Sequence, residues 1–456
     1  MNRRGFVALA TISAISLGLS ACAVGGSSSS SSGGDNTIRV VFWDSGSSSA
    51  KANQQIIENA KASFEQENAD FNVEIVPVKA GEGDYATKLA LQYRSESTAP
   101  DVIYEDTYRL GSDAAAGYLA PIDEYLADWD EWKQYPEAVH QGATGMDGKL
   151  YGIPVDTDTR GIWYNKEVLE AAGVDVPWQP QTWDEVLDVA RKIKSSQPDV
   201  LPMNIYAGKV LAEASSMQGF EMLLYGTDDP LYNLDTNKWV VGSDGFKASL
   251  AFLDTVMKEK LGPTPQNLGD TAWSQTIYTS YMPDNKIGFS IDGSWVPGNW
   301  VEGAEAEWPE WVDRVGWAAM PTQKGQQPGQ TSMSGGWVYS MGANAKNKDK
   351  VFEFMTHLMN YENSLYYSVQ NQSVAVRDDV AAAPEFAESN PAIPFFAELT
   401  KVTHFRPSSE DYESISNEIQ MATEKIINGQ GTPEEVAAAF DEAVKSLVGE
   451  DEVEER

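Results

Sequence analysis

Between residues 37 and 104, short β-branched runs and longer helical stretches take turns, and a chain written this way has few folds open to it. Thr37 to Trp43 reads as a strand, and the stretch from Gln54 to Gln66 as a helix. Asn72 to Val78 alternates as a second strand, and Tyr85 to Glu96 is again helical. Pro100 to Tyr104 is a short apolar strand entered through a proline. This βαβαβ series predicts an α/β fold around a mainly parallel, doubly wound sheet. Ligands of such sheets sit outside the carboxyl ends of the strands. Here those ends are Trp43-Asp44-Ser45-Gly46 and Glu105-Asp106.

Beyond the Gly148 turn, Leu150 to Val155 begins an extended segment that runs on to Trp163-Tyr164-Asn165, expected as the first crossing between two lobes. Thr182-Trp183-Asp184-Glu185 is a capping box that should open a helix, and Thr432-Pro433-Glu434-Glu435 opens another with proline in its first turn. In that last helix Val436, Phe440, Val444 and Leu447 form one apolar stripe, expected to pack into the core. The chain shows no repeat of solenoid period.

The first 36 residues carry a different message. Arg3 and Arg4 precede an uncharged apolar stretch from Gly5 to Ser20, and Leu19-Ser20-Ala21 sets small residues before Cys22. The stretch is too short and wrongly flanked to span a membrane, and reads as a signal peptide over residues 1–21. Cys22 is the sole cysteine, and its place at the boundary marks it for lipidation; an ordinary secretory signal that happens to hold a cysteine is the alternative. The paired arginines also suit twin-arginine export. Residues 22–36, with six serines from Ser27 to Ser32 between glycine pairs, form a tether that can bury nothing. The expectation is an extracytoplasmic protein anchored by lipid to the membrane of a Gram-positive bacterium.

About 435 residues follow the leader, enough for two or three cores, and 42% hydrophobic residues with 11% aromatics mark a globular chain. The formal charge is −35, or −37 once Arg3 and Arg4 leave with the signal, which repels nucleic acid and other anionic polymers. One cysteine rules out an internal disulfide, a thiolate zinc site and a CxxC redox pair. The three histidines, His140, His357 and His404, have no metal-ligand spacing, and no GxSxG, P-loop or Rossmann glycine signature occurs. No cofactor is expected.

Tryptophan is where the sequence points to a ligand. Several of the fourteen lie beside glycine or acid at expected strand ends: Trp43-Asp44, Asp292-Gly293-Ser294-Trp295 and Gly335-Gly336-Trp337. A sugar ring has an apolar face, which an indole plane covers, and a fringe of hydroxyls, which carboxylates and amides bind. Glycine beside them lets a ligand approach the backbone. Core packing is the bland alternative for each tryptophan.

The segments Pro100-Asp101-Val102-Ile103, Gly117 to Asp123 and Gly148 to Pro154 then follow in an order that resembles a known family. So do Trp163 to Glu167 with Ala172-Gly173 and Thr182 to Glu185, Asn285 to Trp295, and Arg406-Pro407 with Tyr412, Ile415-Ser416 and Gln420. Together with the lipoprotein signal they resemble the extracellular solute-binding proteins (family 1, maltodextrin-binding-like) that deliver sugars to ATP-binding-cassette importers.

The resemblance implies a two-lobed periplasmic-binding-protein-like fold of type II, each lobe a mostly parallel sheet flanked by helices, joined by hinge crossings. It implies residues 37–155 plus 338–382 for the N-terminal lobe and 156–337 plus 383–456 for the C-terminal lobe. Trp43, Asp44, Glu105 and Asp106 would face the cleft from the first lobe, and Asp158 just after the crossing. Trp295 matches a sugar-stacking aromatic, beside Asp292, and Gly335-Gly336-Trp337 the loop leading back across the hinge. Tyr206, Trp273 and Arg406 are further candidates, although Arg406 could equally pair with an acid. The implied partners are a neutral mono- or oligosaccharide and the permease subunits of an importer, with the protein a monomer that closes on its ligand rather than an enzyme. A secreted glycosidase or lyase would use the same tryptophans, and Asp44, Glu105, Asp106 and Asp158 would also suit a cationic ligand.

Overall fold

The structure, a computed structural model, describes residues 36–304 and 306–456. The signal peptide, Cys22 and nearly all of the tether lie outside the described residues.

The expected βαβαβ series is present as β1 (Thr37–Asp44), α1 (Ser48–Glu67), β2 (Asn72–Lys79), α2 (Glu82–Tyr93) and β3 (Val102–Asp106), followed by α3 (Thr107–Ala115). Ser47 caps α1 by accepting from the Ala50 N–H, which starts the helix six residues earlier than its apolar spacing suggests. Strand alternation explains how β1 is covered on both sides. Ile38, Val40 and Phe42 enter one core with Ile56, Ile57 and Phe64 of α1, while Val41 enters another with Tyr85 and Leu89 of α2. A strand buried on both faces needs helices on both faces.

The chain then adds β4 (Leu119–Ala120) and β5 (Gly152–Pro154) and crosses to a second sheet. That sheet holds β6 (Arg160–Asn165), β7 (Leu201–Asn204), β8 (Ile287–Gly293) and β9 (Val315–Ala318), with α4 (Trp183–Ser196) between its first two strands. Strand β10 (Trp337–Gly342) returns to the first sheet, and α5 (Tyr361–Asn371), α6 (Tyr412–Ile427) and α7 (Pro433–Val448) follow. Strand order is β2-β1-β3-β10-β4 in the first sheet, with β5 also on β10, and β9-β6-β8-β7 in the second.

Both sheets are mixed rather than mostly parallel. Strands β2 and β3 run parallel to β1, but β10 is antiparallel to β3, β4 and β5 because it enters from the far half of the molecule. In the second sheet only β7 and β8 are parallel, and β6 is antiparallel to both its neighbours. That sheet too divides its side chains between two cores: Ile162 and Tyr164 on one face, Trp163 on the other. Among the described residues no helix is long and apolar enough to cross a membrane.

Two local expectations change. Thr182 caps α4 through the Glu185 N–H, but the Glu185 carboxylate accepts from the Gln181 N–H at 2.8 Å, so the reciprocal half of the box is displaced by one residue. Thr432 and Glu435 do form the full box. On α7 the residues Val436, Phe440 and Val444 are buried, whereas Leu447, in the last turn, is 45% exposed.

Candidate ligand-binding cleft

A cavity of about 810 Å³ lies between the two sheet-centred halves and takes its lining from both. It opens at the carboxyl ends of β1 and β3, where Trp43 and Asp106 stand.

One wall is aromatic. Trp337 stacks on Tyr104 with ring centroids 4.5 Å apart and planes 4° from parallel, and Trp43 stacks beside it at 5.4 Å. All three line the cavity, the two indoles half-buried. The Trp43 indole N–H donates to the Ala80 carbonyl at 2.9 Å, which fixes its plane and leaves a face for a ligand. The Trp337 N–H donates to Asp156 at 3.0 Å, the Tyr367 hydroxyl donates to the other Asp156 oxygen at 3.3 Å, and Tyr104 and Tyr367 share a hydroxyl bond of 2.9 Å. Platform and carboxylate thus close a ring. Gly336, at φ +132°, carries the turn into Trp337; a Cβ there would stand 2.4 Å from the Asp156 carbonyl oxygen.

The opposite wall is charged and neutralised from within. Arg160 binds Asp158, and its guanidinium carbon lies 4.8 Å from the centre of the Trp295 ring. Arg160 and Gly293 are direct partners across β6 and β8, so Trp295 folds back over a residue without a side chain. A Cβ at Gly293 would overlap that ring. From this side Arg406 reaches across to the aromatic one, joining Glu213 at 3.2 Å to Asp106, the register partner of Trp337, at 2.7 Å, with its guanidinium over Tyr108. Burial outweighs the Arg406 charge and lifts the Asp106 carboxyl above its ordinary range. Asp156 goes further, to about 7, through burial and then the charge of Asp158.

Of the residues singled out from sequence, Trp43, Asp106, Asp158, Trp295, Gly336, Trp337 and Arg406 line the cavity. The others stand behind it. Asp44 accepts from the Gly46 N–H at 3.1 Å and lies 3.8 Å from Lys79, shaping the loop. Glu105 alternates to the opposite side of β3 from Asp106, where Tyr93 donates to it at 2.7 Å and Arg109 lies at 3.8 Å. Asp292 is fully buried, accepting from Tyr206 at 2.7 Å and Tyr278 at 3.0 Å, and burial raises it to about 6. It is Tyr278, unmarked by the sequence, that faces the cavity. Trp273 is a core residue donating to Asn204 at 2.9 Å. Gly335 gives its N–H to Asp158 at 2.9 Å.

Arg160, Asp156, Tyr278, Asn53 and Asn371 also line the cavity without having been marked from sequence. Two π-type turns, Ala214–Glu221 and Ile277–Tyr281, carry Met217, Gln218 and Tyr278 into it; such turns recur at functional sites, but local sequence does not announce them. On the outer face Glu67, Glu353 and His357 gather within metal-ligand range, yet Lys350 already holds Glu353 at 2.7 Å.

The model of the family described as bacterial extracellular solute-binding protein matches residues 46–364. The galactooligosaccharide-binding protein of Bacillus subtilis is 23% identical over 442 residues, 96% of this chain and 95% of its own. Among solved structures, the GacH receptor of Streptomyces glaucescens, determined unliganded and with acarbose, superposes with a TM-score of 0.75 at 21% identity, covering 91% of this chain and 98% of that one. A solute-binding protein of Thermotoga lettingae bound to α-D-tagatose gives 0.76 at 23% identity, covering 91% and 100%.

Proposed function

From the premise that this chain belongs to the bacterial extracellular solute-binding protein family, a family of binding proteins with a two-lobed α/β fold, we propose that it captures a neutral sugar, an oligosaccharide, between its lobes and delivers it to an ATP-binding-cassette importer. The observation that carries the reading is the stacked Trp43–Trp337–Tyr104 platform facing a polar wall across one cleft. That is an apolar plane for a ring face opposite donors and acceptors for hydroxyls. The cleft volume of about 810 Å³ is at the upper end of the range for small-molecule sites, which suits more than one ring.

The charges favour a neutral guest. Each acid singled out as a cation ligand already has a cation of its own: Lys79 for Asp44, Arg109 for Glu105, Arg406 for Asp106 and Arg160 for Asp158.

The lobes are assigned as 37–155 plus 338–382 and 156–337 plus 383–456, in keeping with separate cores around the two sheets; Phe386, clustered with Leu365 and Val369, lies at the border. Ligand touching both walls favours the closed form by its extra contacts, and the permease reads that form. Export through the leader and a lipid on Cys22 hold the protein, as a monomer, at the outer surface of a Gram-positive cell membrane. Loss of radiolabelled palmitate from Cys22→Ser tests the anchor. A thermal-shift screen against mono- and oligosaccharides tests the ligand, since a true one at a hundred times its Kd adds about 2.7 kcal/mol. Products appearing on incubation would instead make it an enzyme.

A further inference from the structure

Beneath the aromatic platform, α1, α5 and the first crossing converge on a polar notch. Asn53 of α1 is 1% exposed and lines the cavity. Its Oδ1 accepts from the Tyr339 hydroxyl, and its Nδ2 is buried with no hydrogen-bond partner. A buried amide nitrogen left unpaired is destabilising, since it has lost its water without gaining an acceptor. The same notch holds Asp156, also lining the cavity. Its carboxylate accepts from the Trp337 N–H, from Asn371 at 2.7 Å and from Tyr367 at 3.3 Å, and every one of these donors is neutral. Above about pH 7 the Asp156 carboxyl is ionised and offers about four lone-pair positions, so three donors leave one open. An unfilled donor and an unfilled acceptor therefore share one floor of the cleft, and a group that accepts and donates at once would satisfy both. A sugar hydroxyl is such a group.

We infer that Asn53 and Asp156 together grip a single ligand hydroxyl, Asn53 donating to its oxygen and Asp156 accepting its proton. The inference rests on the sugar reading above and assigns one position on the ring that the protein must find hydroxylated. It also explains why the platform and the notch are built as one piece: Asp156 holds the Trp337 backbone whose indole would cover the same ring.

The test is calorimetry. Galactose, glucose, lactose, maltose and maltotriose are titrated into the wild-type protein. The tightest binder is then compared with its monodeoxy and monodeoxyfluoro derivatives on wild type, Asn53→Ala and Asp156→Asn. At one ring position, deoxygenation should weaken wild type about tenfold or more and each variant by several-fold less than wild type, because each variant keeps only one of the two bonds to that hydroxyl. Fluorine at that position accepts but does not donate, so the fluoro sugar should remain sensitive to Asn53→Ala and lose its sensitivity to Asp156→Asn. Variants that lose equal affinity for the parent sugar and for every deoxy derivative would act only through the fold, and the inference would fall while the sugar reading stood. Wild type binding none of the five sugars overturns that reading first, and this inference with it.

Discussion

The two walls of the cleft solve different problems. The first gathers Trp43, Trp337 and Tyr104 into a stacked plane and carries little charge. The second crowds arginines and carboxylates together and cancels them in pairs, Arg160 with Asp158 and Arg406 with Glu213, and Arg406 also reaches across to Asp106 at the end of β3. An aromatic plane costs nothing to present to water-depleted space, whereas a buried ion must bring its counter-ion along. So the aromatic wall can be left open for a guest, and the charged wall must be complete before the guest arrives.

That contrast is open to test, beginning with the largest effect. Arg406→Leu leaves Asp106 and Glu213 buried without their cation and should cost about 3–5 kcal/mol in a urea unfolding curve. A change under about 1 kcal/mol would mean that the charged wall is not held together by this residue. Next comes affinity. Trp337→Ala should weaken sugar binding by roughly 1–3 kcal/mol in calorimetry, and Trp295→Ala by less, since the Arg160 guanidinium already lies against that ring. The reverse order would move the stacking surface to the second wall, and an unchanged affinity for Trp295→Ala would remove it from ligand contact.

Acidity sharpens the comparison further. Burial lifts Asp156 to about 7, Asp292 to about 6 and Glu221 to about 8, against ordinary values near 4 in the unfolded chain. From about pH 4 to pH 8 the folded form thus holds protons that the unfolded form has released, and stability falls as pH rises through that window. The thermal midpoint should be higher at pH 5.5 than at pH 8.5, and Asp156→Asn should flatten the slope between about pH 4 and pH 7. The smallest effect belongs to Asp44→Asn. Its Lys79 partner is largely exposed, and loss of the 3.8 Å pair should shift stability by about 0–1 kcal/mol.

The first three strands, and the tryptophans at strand ends, were legible in the sequence because both depend on local pattern. Which member of a neighbouring pair faces the ligand was not. Glu105 and Asp106 look alike on paper, and only the phase of β3 sends one to the cleft and the other to Arg109. Asp292 announces itself beside glycine and tryptophan, but the chain interposes Tyr278, fourteen residues away, between it and the cavity. Arg160 and Asn53 gave no signal, being an ordinary strand residue and an ordinary helix residue until crossing strands bring their neighbours. The expectation of mostly parallel sheets missed β10 for a related reason: the direction of a returning strand depends on where the chain has been.

The two segments that run between the sheets are laced at every step. The Val155 N–H reaches the Trp337 carbonyl at 2.8 Å, the Thr157 hydroxyl reaches Gly335 at 3.0 Å, and the carboxylates of Asp156 and Asp158 hold the Trp337 and Gly335 N–H groups. Bonds along the length of both segments resist sliding of one past the other more than joint bending, so bending is the stroke this lacing favours for the halves it joins. A surface remote from the cargo would then need to sense only that stroke, and the identity of the cargo would reach it as an angle.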